Sequence, residues 1–296
     1  MFNITQCYNG VNIGSVSVNF VNIDDENNIN IIKRPHLGNP SEVLDEILAE
    51  NKSLKECFYK VSGSFGDVSE VVAVERGISS FDEKFSVVLS LGGEAFVLYI
   101  LDVDGHIVNV LSHDKCAAGS GEFFIQQIDR LNITLPEAII LAGKGKKIEI
   151  ASRCSVHCKS DITHKLNRGE TSVEDVLASV LSSMASKIKG LLFQSRVDVK
   201  RLLLIGGVAL NDAFVKILRE QLEDVEVVVK DVSSVFEAYG SALLEKDSPK
   251  QTELILNTSK SFSTLPSLEQ FRDQVTIIPP VEHKKDFAEN TPFILG

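Results

Sequence analysis

The chain has 296 residues, of which 44% are hydrophobic and 24% charged, a composition typical of a globular protein with a sizeable core. A formal net charge of −11 disfavours nucleic-acid binding, because an acidic surface repels phosphate backbones. No apolar run reaches the roughly 18 residues of a membrane span, and the N-terminus does not have the pattern of a signal peptide. We therefore expect a cytoplasmic protein with no nucleic-acid partner and no membrane partner.

A repeated unit occurs near the start and again about a third of the way along the chain. Residues 11–25 and 89–103 both read as a strand, a turn beginning with glycine, and a second strand that ends in aspartate. Asn12 and Ser90 occupy the same place in the two copies. Agreement in register over the whole unit favours an internal duplication over two unrelated hairpins.

The elements between and after these units alternate between strands and helices. A helix is predicted to begin at Pro40, and Ser172 has the pattern of an N-cap that opens a long apolar helix. The remaining predictions are strands over 55–74, 84–101, 200–205 and 225–230, and helices over 122–131, 210–222 and 234–246. Such alternation predicts an α/β fold. We divide the chain into an N-terminal lobe (1–83), a C-terminal lobe (84–247) and an extended proline-containing tail or linker (248–296).

Four glycine-rich turns lie at the junctions between predicted elements. Glycine allows backbone N–H groups to approach an anion closely, and a following helix adds the positive end of its dipole. The turns contain Gly14 and Ser15; Gly92 and Gly93; Gly119, Ser120 and Gly121; and Gly206 and Gly207. Because two of the turns are related by the internal repeat, the set favours a nucleotide cleft between two lobes.

Five cysteines, at positions 7, 57, 116, 154 and 158, are an odd number in a chain without a secretory signal. A disulfide framework is the poorer interpretation in a reducing compartment. The number of cysteines alone does not distinguish between buried structural thiols, metal ligands and a redox centre.

Three segments carry a resemblance to a known family. They are DKCAAGSG at 114–121, SRCSV at 152–156 and GGVALN at 206–211. Together they resemble the BadF/BadG/BcrA/BcrD-type ATPases, the activators of 2-hydroxyacyl-CoA dehydratases and benzoyl-CoA reductases, over roughly residues 9–245. The resemblance implies the two-lobed actin-like (ribonuclease H-like) fold with duplicated subdomains, shared with Hsp70 and sugar kinases.

The same resemblance implies cofactors and partners. Members are homodimers that hold one [4Fe–4S] cluster between two protomers, and they use Mg²⁺-ATP to send a low-potential electron to a dehydratase or reductase. Carried over to this chain, the cluster ligands are Cys116 and Cys154, and the nucleotide is held by the glycine turns with Asn211. Cys7, Cys57 and Cys158 are then structural thiols, and a pseudo-dimer with a second activator-type domain is an alternative to the homodimer.

The chain departs from the family pattern at three positions where a carboxylate is expected. These positions hold Asn12, Ser90 and Ala95, and Glu94 is the acid that remains as a weak catalytic candidate. Carboxylates orient the waters of Mg²⁺ during phosphoryl transfer, so hydrolysis is expected to be weak or lost. The leading hypothesis is an activator module, and the alternative is a hydrolysis-deficient interaction or regulatory copy, the first of a tandem activator. A small-molecule kinase ranks last.

Overall fold

The computed structural model describes residues 7–51, 54, 58–64, 66–94, 96–113, 120–152 and 154–249. Its first sheet has the strand order β3-β2-β1-β4. The strands are β1 (Cys7–Ile13), β2 (Ser17–Asp24), β3 (Ile29–Pro35) and β4 (Phe58–Gly63). β1, β2 and β3 form an antiparallel meander, and β4 pairs with β1 in parallel.

The second sheet repeats this topology with one more strand, in the order β7-β6-β5-β8-β9. Its strands are β5 (Val87–Leu91), β6 (Phe96–Leu101), β7 (Ile107–His113), β8 (Arg201–Ile205) and β9 (Glu226–Val228). Again an antiparallel meander, β5-β6-β7, is joined through its first strand to a parallel strand, β8. The predicted duplication and the α/β class are therefore confirmed.

Eight α-helices pack on these sheets in the described part of the chain. They are α1 (Pro40–Glu50), α2 (Glu70–Ile78), α3 (Gly121–Leu131), α4 (Leu135–Ala142), α5 (Ser155–Asn167), α6 (Val173–Ser195), α7 (Asp212–Gln221) and α8 (Phe236–Asp247). Helix α6 is long and apolar enough by composition to span a membrane, but two-thirds of its apolar stretch is buried in the fold. Ser172 caps α6, since its side chain accepts from the Asp175 N–H.

The cores follow the two sheets. The larger cluster packs the second sheet against α3 to α7 and includes the fully buried Phe123, Leu181 and Phe214. A smaller cluster under the first sheet includes Phe20 and Leu44. A third cluster lies around α2 and α8 and draws on strands of both sheets. Burial of these apolar faces is the main stabilising term for the arrangement.

Helix α8 joins the first sheet to α2 through two glycine contacts. A Cβ on Gly10 in β1 would lie 1.9 Å from the Ala238 carbonyl oxygen of α8. A Cβ on Gly240 in α8 would lie 1.8 Å from the Ala73 carbonyl oxygen of α2. Both approaches require glycine, and they hold α8 close against β1 and α2.

One predicted element is wrong in part. The sequence predicts a strand over 55–74, whereas β4 ends at Gly63 and α2 begins at Glu70. The β-branched Val71 and Val72 give this stretch the local pattern of a strand, but Ala73 and Val74 are buried on a helical face against α8. Tertiary packing thus overrides a weak local preference. The tail beyond residue 249 lies outside the described residues.

Candidate functional site

The first glycine turn joins β1 to β2 and is fixed from the end of β3. The Gly14 N–H donates to the Ser17 carbonyl at 3.1 Å, and the His36 N–H donates to the Val16 carbonyl at 3.0 Å. His36 Nδ1 accepts from the Gly38 N–H, so Nε2 carries the proton and donates to the Gly14 carbonyl at 3.0 Å. These hydrogen bonds stabilise the conformation of the turn.

The second turn, at Gly92 and Gly93, rests on the start of α3. The Gly121 N–H donates to the Gly92 carbonyl at 3.2 Å, and the Glu122 N–H donates to the Gly93 carbonyl at 2.8 Å. Ser120 is the N-cap of α3 and accepts the Phe123 N–H on Oγ. The first backbone donors of α3 are thus used to position the second turn. Gly119 lies outside the described residues.

The first and second turns touch each other. A Cβ built on Gly93 would lie 2.2 Å from Val16 Cγ2 and 3.6 Å from Ser15 Oγ. The absence of a side chain at Gly93 is what allows this approach. The two hairpin turns of the internal repeat therefore pack against each other.

The fourth turn lies beside the second. Gly206 has a φ of +88°, and a Cβ there would lie 2.3 Å from the Leu91 carbonyl oxygen, so this position requires glycine. A Cβ on the next residue, Gly207, would meet Lys33 Nζ, the flexible end of a side chain, at 2.9 Å. Asn211 caps α7 by accepting the Phe214 N–H at 3.0 Å. Its side chain is only 7% exposed, so it supports the fourth turn from the protein interior.

The two described positions that lack the expected acid each donate a hydrogen bond to a glutamate from another element. Asn12, only 4% exposed, donates from Nδ2 to Glu70 Oε1 at 3.2 Å, at the start of α2. Ser90 Oγ donates to Glu237 Oε1 at 2.9 Å, at the start of α8. Sequence reasoning missed both glutamates, because no local motif marks them. Glu94 is exposed, and Ala95 lies outside the described residues.

The electrostatics of the cleft couple these groups. Burial raises the pKa of Glu237, the hydrogen bond from Ser90 opposes that rise, and the negative charge of Glu70 adds to it. Burial lowers the pKa of the Lys33 ammonium, although the carboxylate of Glu237 partly offsets this. The pKa of Tyr99 is raised by burial and by both glutamates. The two carboxylates therefore lie within electrostatic reach of one another.

The described cysteines differ in environment. Cys154 occupies the N-cap position of α5 and is partly exposed, and backbone N–H groups of His157 and Val156 lower the pKa of its thiol. Cys158 is buried in the core. Cys7, at the start of β1, is disulfide-bonded, so the prediction of a free structural thiol is wrong there.

Two predicted cysteines, Cys116 and Cys57, lie outside the described residues. Among the residues that are described, no group of three or more His, Cys, Asp or Glu side chains is arranged to hold a metal ion. Any metal bound by Cys154 therefore needs ligands from beyond this part of one chain.

Comparison with known proteins agrees with this architecture. The chain is 26% identical over 226 residues to the 2-hydroxyisocaproyl-CoA dehydratase activator of Clostridioides difficile, covering 72% of this chain and 84% of that protein. It is 26% identical over 252 residues to the (R)-2-hydroxyglutaryl-CoA dehydratase activating ATPase of Acidaminococcus fermentans, covering 79% and 95%.

Solved structures show the same fold. The Clostridium difficile activator with bound ADPNP superposes with a TM-score of 0.73 at 24% identity, over 82% of this chain and 95% of that one. The Acidaminococcus fermentans dehydratase component A gives a TM-score of 0.70 at 24% identity, over 81% and 97%. The model of the BadF/BadG/BcrA/BcrD ATPase family matches residues 40–244. The chain belongs to the BadF/BadG/BcrA/BcrD ATPase family.

Proposed function

We propose that the chain is an activator-type module that binds ATP and ADP in the cleft formed by its glycine turns. The observation that carries this proposal is the convergence of turns that are far apart in sequence: Gly93 packs against Val16 with no room for a Cβ, and Gly206 lies against Leu91. Lys33 Nζ lies beside Gly207, and an ammonium group suits a phosphate. A backbone cradle next to a lysine is suited to a nucleotide's phosphates.

The cysteine chemistry fits an iron–sulfur cluster. Cys154 is accessible, and its lowered thiol pKa favours the thiolate that ligates iron. With Cys116 as its predicted companion, one chain supplies two ligands, so a [4Fe–4S] cluster is shared across a homodimer or a pseudo-dimer. When bound, such a cluster supplies one-electron transfer at low potential. In this proposal the chain holds Cys154 at the start of α5 and binds the nucleotide.

The relatives indicate the class of partner. Besides the two activators above, one of the component chains of the benzoyl-CoA reductase of Thauera aromatica is 25% identical over 57% of this chain. We propose that this chain is cytoplasmic and that its partner is of the 2-hydroxyacyl-CoA dehydratase or benzoyl-CoA reductase type. Nucleotide binding is coupled to electron delivery to that partner, with no nucleic acid or membrane involved.

A second candidate function rests on the neutral residues of the phosphate turns. Asn12 and Ser90 carry no charge where the family places carboxylates, and Val16 puts an apolar side chain between the first two turns. These features suit a hydrolysis-deficient copy of the domain that binds nucleotide and regulates a neighbouring module of a larger protein.

One experiment tests the proposal and separates the two candidates. The protein is purified without oxygen and reconstituted with iron and sulfide, and then bound iron, ADP binding and Mg²⁺-ATP turnover are measured on the same sample. Iron with turnover supports the activator, whereas iron and ADP binding without turnover support the regulatory copy. Cys154→Ala should abolish the cluster absorbance and Cys158→Ala should leave it. A protein that binds neither iron nor ADP would contradict both candidates.

A further inference from the structure

A cavity of about 470 Å³ lies where the chain passes from the first half of the fold to the second. Residues 79–86 link α2 to β5 and form one wall of this cavity. Helix α2 forms a second wall, and the turn between β6 and β7 forms a third. Strand β5 has 5 residues, spans about 17 Å, and separates the cavity from the turn at Gly92 and Gly93. The cavity is therefore distinct from the proposed nucleotide site.

Part of the cavity lining is apolar and aromatic. Ile78 and Phe85 are each only 5% exposed, and Phe81 stacks on a phenylalanine of α8 with the ring centroids 6.0 Å apart. Leu244 of α8 and Val72 of α2 extend this surface, and Val72 is 51% exposed. Sites for small molecules typically combine such a lining with a few polar groups, in cavities of about 300–1,000 Å³. The size and the lining both suit a small ligand with an apolar body.

The basic side chains around the cavity are already engaged within the protein. Arg76 on α2 forms an ion pair with Asp247 through two nitrogen atoms. Lys84 Nζ donates to a backbone carbonyl of the turn between β6 and β7 at 2.9 Å. The imidazole of His106 is 3.3 Å from the carboxylate of Glu75. An anionic ligand would have to compete with these contacts.

Two carboxylates at the rim of the cavity are not engaged in this way. Asp82 and Asp104 are exposed, and in the part of the chain that the structure describes no hydrogen bond or ion pair involves their side chains. The other two carboxylates of the lining have partners, since Glu75 also accepts a backbone N–H of β7 and Glu83 pairs with Lys230 at 2.7 Å. The charge that remains available to a ligand is therefore negative.

We propose that this cavity binds a small amphipathic organic cation. The ammonium group of such a ligand lies at the acidic rim, near Asp82 or Asp104, and its apolar body packs against Phe81 and Phe85. Burial of the apolar body supplies affinity, and the rim carboxylates select the charge. Because the walls come from α2 and from the turn between β6 and β7, one ligand contacts both halves of the fold. The inference is independent of the proposed nucleotide site.

The test uses three probes that share a phenethyl body and differ in charge. Phenethylammonium is the cation, phenethyl alcohol is neutral, and phenylpropionate is the anion. Each probe is titrated into the intact, isotopically labelled protein, and backbone amide shifts in two-dimensional NMR spectra give the affinity and the position of binding. Probes this small are expected to bind at millimolar concentrations.

Three variants accompany the wild type. Asp82→Asn/Asp104→Asn removes the charge at the rim, and Val72→Trp fills the cavity from its exposed position on α2. Asp224→Asn is the matched control, because Asp224 is an exposed acid between α7 and β9 that does not line the cavity.

We expect the cation to bind most tightly, with shifts at the amides of Ser79 and Gly105 in the cavity walls. The double variant should bind the cation about five- to tenfold more weakly and the alcohol equally well. Val72→Trp should weaken binding of both probes, and Asp224→Asn should match the wild type. A cation that binds no more tightly than the alcohol or the anion, shifts confined to other parts of the protein, or a double variant with undiminished cation binding would overturn the proposal.

Discussion

Replacing Asn12 with aspartate should destabilise the protein, although aspartate is the residue that the sequence resemblance leads us to expect there. The change removes both hydrogen bonds donated by Nδ2, to Ser62 and to Glu70, at a cost of about 1–3 kcal/mol. It also sets a carboxylate about 3.2 Å from Glu70 Oε1. At that distance the repulsion is about 1 kcal/mol in water and about 5 kcal/mol at an effective dielectric constant of about 20. Because Glu70 is exposed, the lower part of that range applies, and a total loss of about 3 kcal/mol is expected.

Urea denaturation followed by circular dichroism gives the free energy of unfolding for this comparison. The matched control is Asn22→Asp, a buried asparagine on β2 whose Nδ2 donates to the Asn9 side-chain oxygen and not to a carboxylate. The double variant Asn12→Asp/Glu70→Gln should recover most of the repulsive part. An Asn12→Asp protein no less stable than the Asn22→Asp protein, or a double variant without recovery, would refute the reasoning.

Further expected outcomes concern other parts of the fold. Cys154 should be alkylated by iodoacetamide well before Cys158 in the native protein, because it is accessible and its thiol pKa is lowered; mass spectrometry of digests would show the order. Asp247→Asn should cost at most about 1 kcal/mol at neutral pH, because Asp247 forms an exposed ion pair with Arg76. The hydrogen bond from Arg76 lowers the pKa of the Asp247 carboxyl in the folded protein. The ion pair therefore stabilises the protein above pH 3.8, the ordinary pKa of this carboxyl, and the stabilisation is lost as the pH falls below that value. Denaturation curves at several pH values check the sign. Gly240→Ala should cost about 3 kcal/mol or more in urea denaturation, since its Cβ would overlap a backbone carbonyl of α2.

Much of the fold could be predicted because its signals are local. Alternating apolar residues and a glycine turn mark each hairpin, and comparing the two hairpins reveals the duplication that the sheets show. Helix α6 is marked by its apolar stripe and its Ser172 cap. Helix α2 could not be predicted in the same way. Its start has the β-branched pattern of a strand, and its helical state depends on packing against α8, which is more than 150 residues away.

The candidate site, like the fold, could be predicted from sequence only where its signals are local. The glycine turns are visible in sequence because backbone geometry demands glycine, as at Gly206 with its positive φ. Glu70 and Glu237 could not be identified from sequence, because their positions beside the turns depend on contacts between distant segments. Asn12 and Glu70 are separated by 58 residues, and Ser90 and Glu237 by 147. Only the folded structure shows that the neutral side chains of Asn12 and Ser90 are each hydrogen-bonded to a carboxylate.

The most direct test of the central claim is calorimetric titration of ADP into the intact protein and its Gly207→Val variant. A Cβ at position 207 would meet the flexible end of Lys33, which can move aside, so the fold should persist while the side chain occupies space beside the turns. Gly190→Val, at an open position on α6, is the control. We expect the wild type and the control to bind ADP alike, and Gly207→Val to bind about tenfold more weakly or worse. Equal binding by all three proteins, or binding by none, would contradict a nucleotide site at these turns.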